Sequence, residues 1–157
     1  MITPVTWRYK EQLITGISDM PEGTYGFIYR VVHIPTKKKY IGKKVLFFER
    51  NVKLGKKETE ALREERKAAG IGGRVPAKKK VVKESDWKTY YGSQTEIKVL
   101  VKESNPGDWT REILEFVPTK KLLTYYEIKH IFINDALEDQ DFLNDNILGK
   151  FYRKDFL

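Results

Sequence analysis

Tyr25-Gly26-Phe27-Ile28-Tyr29-Arg30-Val31-Val32-His33-Ile34, then Pro35-Thr36-Lys37-Lys38-Lys39-Tyr40-Ile41-Gly42-Lys43, is the stretch on which the fold turns. Its first half is β-branched and aromatic at Tyr25, Phe27, Ile28, Tyr29, Val31, Val32 and Ile34, the composition of a strand. Pro35-Thr36-Lys37 supplies a turn, and Lys39-Tyr40-Ile41-Gly42 opens a second short strand. So short a connection makes an antiparallel hairpin the simplest topology. Such a hairpin would set Tyr29 and Tyr40, 11 residues apart, on neighbouring strands.

Outward from this hairpin the pattern changes. Residues 1–22 read as a leader in which Trp7, Tyr9, Leu13 and Ile14 form a short amphipathic element, closed by the breaker Met20-Pro21-Glu22-Gly23. Val45 to about Lys53 reads as a helix. Glu58 to Ala69 is rich in strong helix formers with Leu62 as its one large apolar residue, so that helix is solvated. Gly70-Ile71-Gly72-Gly73 ends it, and Arg74 to Lys83 follows as a basic linker. Residues 51–84 are thus expected to be a basic helical insertion.

Past the insertion, Trp87 to Tyr91 is an aromatic segment. Ser93, with Glu96 three residues on, reads as the cap of a helix whose apolar face is Ile97, Leu100 and Val101. Asn105-Pro106-Gly107 stops that helix, and Trp109 to Val117 is a third strand. Pro118-Thr119 opens a last helix to about Ala136, with Leu122, Leu123, Tyr126, Ile131 and Ile133 facing inward. Asp141 to Leu157 is a loop-like tail anchored by Phe142, Leu143, Phe151 and Phe156. The expected fold is α+β: a small, mainly antiparallel three-stranded sheet flanked by helices, forming one domain over 23–157.

Composition limits the function. The chain has 157 residues and no cysteine, which removes disulfides, thiolate zinc sites and cysteine nucleophiles. No apolar run approaches the roughly 18 residues that span a bilayer. No secretory signal is evident, so the expected location is cytoplasmic, or the host cytoplasm for a virus-encoded chain. The net charge of +8 is unevenly placed: Lys37 to Lys83 holds 17 Lys and Arg against 5 Asp and Glu, while the remainder is acidic. Such a local field attracts polyanions, nucleic acid first among them.

Taken singly, the residues that could do chemistry are ordinary. A strand tyrosine is usually packing, and Arg50 after Glu49 could be a surface ion pair. Glu127, flanked by Tyr126 and Ile128 in the last helix, is costly to bury without a partner or a metal. His33 and His130 do not make a zinc pair, and there is no Gly-rich phosphate loop.

Together they form a pattern. Phe27-Ile28-Tyr29 followed by Tyr40-Ile41-Gly42 resembles the paired tripeptides of the GIY-YIG nuclease family, with that family's tyrosine spacing. The resemblance extends to Lys43, to Arg50 ten residues after Tyr40, to the strand Glu112-Ile113-Leu114-Glu115-Phe116-Val117, to Glu127, and to Asn144 or Asn146. Trp87-Lys88-Thr89-Tyr90-Tyr91-Gly92-Ser93 is similar to a segment of phage-type members. Two departures stand out: Phe27 replaces the first glycine, with Gly26 one position early, and the 51–84 insertion is long.

The resemblance implies a DNA endonuclease that hydrolyses phosphodiester bonds. Glu127 would bind Mg²⁺, or Mn²⁺, a hard cation suited to carboxylate, water and phosphate oxygens. Arg50 would steady charge on phosphorus. Tyr29 would orient or deprotonate the water, provided the site lowers the phenol pKa from about 10. Tyr40 would share that task, and Asn144 or Asn146 would fix geometry. Lys44, Lys56, Lys57, Arg63, Arg66, Lys67, Arg74, Lys78, Lys79 and Lys80 would grip the backbone of double-stranded DNA. One such site cuts one strand, so a double-strand break would take a homodimer or two successive events. The alternative is a catalytically inactive nucleic-acid-binding protein on the same fold.

Overall fold

A computed structural model describes residues 4–156. The first three residues of the expected leader, and Leu157 of the expected domain and tail, lie outside the described residues. In chain order the elements are β1 (Trp7–Tyr9), β2 (Gln12–Ile14), β3 (Gly26–His33), β4 (Lys38–Val45), β5 (Phe47–Lys53), α1 (Lys56–Ala68), β6 (Lys78–Glu84), α2 (Thr95–Glu103), β7 (Trp109–Val117), α3 (Lys120–Ile133), β8 (Asn146–Ile147) and β9 (Phe151–Tyr152). They fall into two compact units. One comprises the residues up to Leu46 and from Asp86 onward; the other is Phe47–Ser85.

The first unit is built on a five-stranded sheet of order β2-β1-β7-β3-β4. The three expected strands lie side by side as β7, β3 and β4, and both of their pairings are antiparallel. The class is therefore the α+β one that the sequence predicts. The leader extends the sheet: residues 7–14, expected as an amphipathic element, form β1 and β2, and β1 joins β7 in parallel through Arg8↔Glu112.

β3 reads as a nearly unbroken apolar run because both of its faces are covered, as they must be for a strand inside the sheet. Phe27, Tyr29 and Val31 pack on one face with Trp7, Trp87 and Ile97. Ile28 packs on the other with Ile41, Val117, and Leu123 and Ile131 of α3. Only that narrow stripe of α3 is buried; Leu122 and Ile133, expected inside, are 38% and 64% exposed. Thr119 caps α3, its Oγ1 accepting from the Leu122 N–H at 3.2 Å. The cap of α2 is Gln94 rather than the expected Ser93; its side-chain oxygen accepts from the Ile97 N–H at 3.0 Å.

In the tail Phe142 and Leu143 are buried as expected, but Phe151 and Phe156 are 53% and 51% exposed. The anchor of the last residues is polar instead. The Arg153 guanidinium donates to the carbonyls of Ala136 at 2.7 Å, Asp139 at 2.9 Å and Asn144 at 2.8 Å.

The second unit pairs β5 with β6 in antiparallel register from Phe47↔Glu84 to Lys53↔Lys78. This corrects two expectations: Val45–Lys53 is not a helix, and Arg74–Lys83 is not a plain linker. Each strand finds its partner about thirty residues away, so neither declares itself locally, although Phe47, Phe48, Val52, Val81 and Val82 are strand formers. α1 matches the expected solvated helix, with no residue buried.

Candidate active site

The β3–β4 hairpin fixes the first geometry. Its turn includes Lys37 at φ 61°, and its register sets Tyr29 across from Gly42 and Val31 across from Tyr40. The two tyrosine rings stand 6.3 Å apart. Gly42 is required for room: a Cβ there would lie 2.4 Å from the Tyr29 hydroxyl oxygen and 2.9 Å from a Tyr40 ring carbon. The Tyr29 phenol therefore occupies the space where a side chain of β4 would stand. On β7, the register slips beside Ile28 and Tyr29, a bulge of the kind that re-aims side chains.

Gly92, at φ +134°, closes over the same spot; a Cβ there would lie 3.3 Å from the Tyr29 oxygen. Two residues earlier, the Tyr90 ring meets Tyr29 edge-on, with centroids 5.9 Å apart at 87°. Tyr29 is 1% exposed, whereas Tyr40 is half-buried and lines a cleft.

β4 is the edge of the sheet, and its outward backbone groups are satisfied in sequence. Lys39 N–H donates to the Asp141 carbonyl at 2.8 Å, and the Lys39 carbonyl accepts from Leu143 N–H at 2.7 Å. At Ile41 a side chain replaces the strand. Asn144 Oδ1 accepts from the Ile41 N–H at 3.1 Å and Nδ2 donates to the Ile41 carbonyl at 2.8 Å. Beyond it the Lys43 backbone N–H, with the Lys43 ammonium, favours the charged form of the Glu127 carboxylate. Glu127 reaches the tyrosines from α3, 98 residues after Tyr29 in the chain.

These groups border a cleft of about 320 Å³ whose polar lining is Tyr40, Gln94, Glu127, Asn144, Asp145 and Asn146. Burial raises the Glu127 pKa above 4.5, opposed by the Lys43 ammonium and backbone N–H. Burial also raises Tyr40 to about 12, with Glu127, Tyr90 and Asp145 adding to it. Tyr29 is pushed well above 10, first by burial and then by Tyr90 and Tyr40. The sequence reading asks the site to lower a phenol pKa; the protein groups of this unit do the reverse. Both phenols are neutral here and suited to orient water rather than to strip it.

A hard divalent cation fits this cleft. Its donors are oxygens, and Glu127 is a half-buried carboxylate whose desolvation a cation would relieve. Among the described residues no cluster of three His, Cys, Asp or Glu side chains is poised to hold a metal. A cation on Glu127 would thus complete its shell with water and phosphate, the habit of Mg²⁺.

The remaining expected residues divide clearly. Lys43 is exposed and donates to Thr124 Oγ1 at 3.0 Å, one turn before Glu127. Asn144 is the buried edge clamp, while Asn146 Oδ1 accepts from Gly149 N–H in the β8–β9 turn. Lys44 is not available to DNA. It is 8% exposed, its Nζ lies 2.6 Å from Asp86 Oδ1, and it sits 3.9 Å from the Tyr90 ring centre. Arg50 lies in the second unit, exposed on β5 rather than on the expected helix, paired with Val81.

In that unit Lys56, Lys57, Arg63, Lys67, Arg74 and Lys78 are exposed. Lys79 and Lys80 pair with Glu58 at 2.5 Å and Glu49 at 3.0 Å, surface contacts that are weak and exchangeable. Arg66 is partly spent within the unit: Nη2 donates to the Gly72 carbonyl at 3.3 Å, and its buried Nε has no partner.

Phe27, the departure from the first motif glycine, is fully buried between Trp7 and Trp87 at centroid distances of 5.1 and 6.3 Å. It changes the core and leaves the cleft untouched. Sequence reasoning missed Tyr90, Gln94 and Asp145. Strand alternation does carry a signal for Lys44, because Tyr40, Gly42 and Lys44 share one face of β4.

A family model described as "Putative endonuclease segE, GIY-YIG domain" matches residues 7–147. No curated protein and no solved structure matches the chain.

Proposed function

The chain belongs to the GIY-YIG endonuclease family, and from that premise we propose that it is a metal-dependent DNA endonuclease acting at the cleft between Tyr40 and Glu127. The carrying observation is the convergence of the Tyr40 phenol and the half-buried Glu127 carboxylate, far apart in sequence, on one polar cleft, with the Tyr29 ring packed behind Tyr40. An isolated carboxylate is costly to bury, and at Glu127 that cost is opposed only by Lys43. Functional centres hold strain of this kind.

In the proposed reaction a water oxygen bonds to phosphorus as the P–O3′ bond breaks, and a proton ends on the departing 3′-oxygen. Tyr40, neutral at physiological pH, orients the water by hydrogen bonding from the cleft wall. Tyr29 stands behind it, buried, and holds its ring in place. Lys43 places positive charge beside Glu127 and the incoming phosphate. Mg²⁺ or Mn²⁺ on Glu127 would act as a Lewis acid toward the phosphate and the leaving oxygen. Asn144 holds Ile41, and so Tyr40, against the edge. The basic surface of the second unit would bind the duplex backbone without reading sequence.

Replacing Glu127 by glutamine tests this. Nicking of supercoiled plasmid in Mg²⁺ or Mn²⁺ is expected to fall by about 10³-fold, the scale of losing one electrostatic stabiliser, with DNA affinity retained. Equal cleavage by parent and variant would remove the site. Salt-sensitive binding by a parent that never nicks would favour the inactive binding protein instead. No described helix is long and apolar enough to cross a membrane.

A further inference from the structure

The proposed chemistry uses Tyr29, Tyr40 and Glu127 but leaves Tyr90 without a task. That residue is held with unusual care. Its carbonyl accepts from Arg111 Nη1 at 2.9 Å. Arg111 is 2% exposed, lies between the Trp7 and Tyr91 rings at 4.5 and 4.6 Å, and also donates to the Lys88 carbonyl at 2.8 Å. Below the Tyr90 ring stands the buried Lys44 ammonium at 3.9 Å, itself fixed by Asp86 at 2.6 Å. Gly92 folds the following backbone against Tyr29. Burying two cations to steady one loop is expensive unless each is well partnered. Here the partners are carbonyls, rings and one carboxylate, and the loop carries a hydroxyl toward Tyr29.

We propose that Tyr90 is a positioning residue for phosphodiester hydrolysis, fixing the rotation of the Tyr29 phenol, with Lys44 and Asp86 as its support; this rests on the nuclease reading above. A phenylalanine would fill the same space, so packing does not explain the hydroxyl. The two rings meet edge-on at 5.9 Å, and the Tyr90 side chain favours the protonated form of the Tyr29 phenol. With its proton turned toward Tyr90, the Tyr29 oxygen would keep its lone pairs for the Tyr40 side, where the cleft begins. Free to rotate, the same hydroxyl would point its proton at the groups that must order water.

The test uses the full chain with supercoiled plasmid and Mg²⁺. Tyr90→Phe is expected to lower kcat about ten-fold with KM for DNA unchanged, and to melt within a few degrees of the parent. Because Tyr90 acts through Tyr29, the double variant Tyr29→Phe/Tyr90→Phe is expected to be no slower than Tyr29→Phe alone. Parent-like cutting by Tyr90→Phe, or losses that multiply in the double variant, would overturn the inference and leave the nuclease reading standing. A folded parent that nicks with neither Mg²⁺ nor Mn²⁺ would overturn both. Lys44→Met adds a second arm: a smaller kcat loss supports the supporting role, whereas a raised KM with kcat unchanged would make Lys44 a phosphate contact and overturn it.

Discussion

The two units of this chain are stabilised in opposite ways. The sheet unit covers both faces of β3 with large side chains; Trp7, Trp87, Tyr29 and Phe27 are each at most 1% exposed. In Phe47–Ser85 no described hydrophobic side chain is buried, and 12 Lys and Arg stand against 6 Asp and Glu. One unit is organised around what it hides, the other around what it shows. A segment that buries so little keeps its shape through cross-strand pairing and helix propensity, so selection on it can act mainly through its surface.

That contrast can be broken most directly by truncation. Trp87→Ala in the sheet unit is expected to cost about 3–5 kcal/mol, the usual range for emptying a large core position. Val82→Ala in the second unit, 55% exposed, is expected to stay within about 0.5 kcal/mol. Denaturant unfolding of both variants checks this; comparable losses would mean that the second unit has a core after all.

A gentler change separates binding from chemistry. Lys56, Lys57, Lys67 and Lys78 replaced together by glutamine should flatten the dependence of log affinity on log salt by up to about 3.6, at roughly 0.9 per lost phosphate contact. The single-turnover rate at saturating DNA should hold. An unchanged salt slope, measured by anisotropy, would assign these lysines to solubility alone.

The smallest effect lies within the sheet unit. The Glu127 pKa is raised on folding, so its favourable contribution is complete in acid, below about 4.5, and is lost as pH climbs through the folded value. Glu127→Gln should therefore raise the melting temperature at pH 7.5 by a degree or two, and less at pH 4. A gain of equal size at both pH values would point to packing rather than charge.

The hairpin and its two tyrosines were legible because everything that determines them is local: β-formers, a short turn and a glycine. α1 and the opening of α3 at Thr119 were legible for the same reason, whereas the cap of α2 falls on Gln94 and not on Ser93. β5 and β6 were not, since each is a strand only by virtue of the other. Lys44 looked like one more cation in a basic run, and only the alternation of β4 hinted that it turns inward. Nothing local marks Tyr90 within its aromatic segment, because its meeting with Tyr29 depends on Arg111 drawing a distant loop onto β7.

The closing of the β4 edge has a consequence beyond the cleft. An exposed edge strand invites another chain to add itself, and proteins block such edges deliberately. Here Asp141, Leu143 and Asn144 occupy the outward groups of Lys39 and Ile41, and the Glu127 carboxylate stands by the Lys43 amide that follows, so the residue proposed for chemistry also guards the edge against self-association. A substitution that takes away that carboxylate frees a docking point for a foreign strand, so lost turnover and a stickier molecule would arrive together.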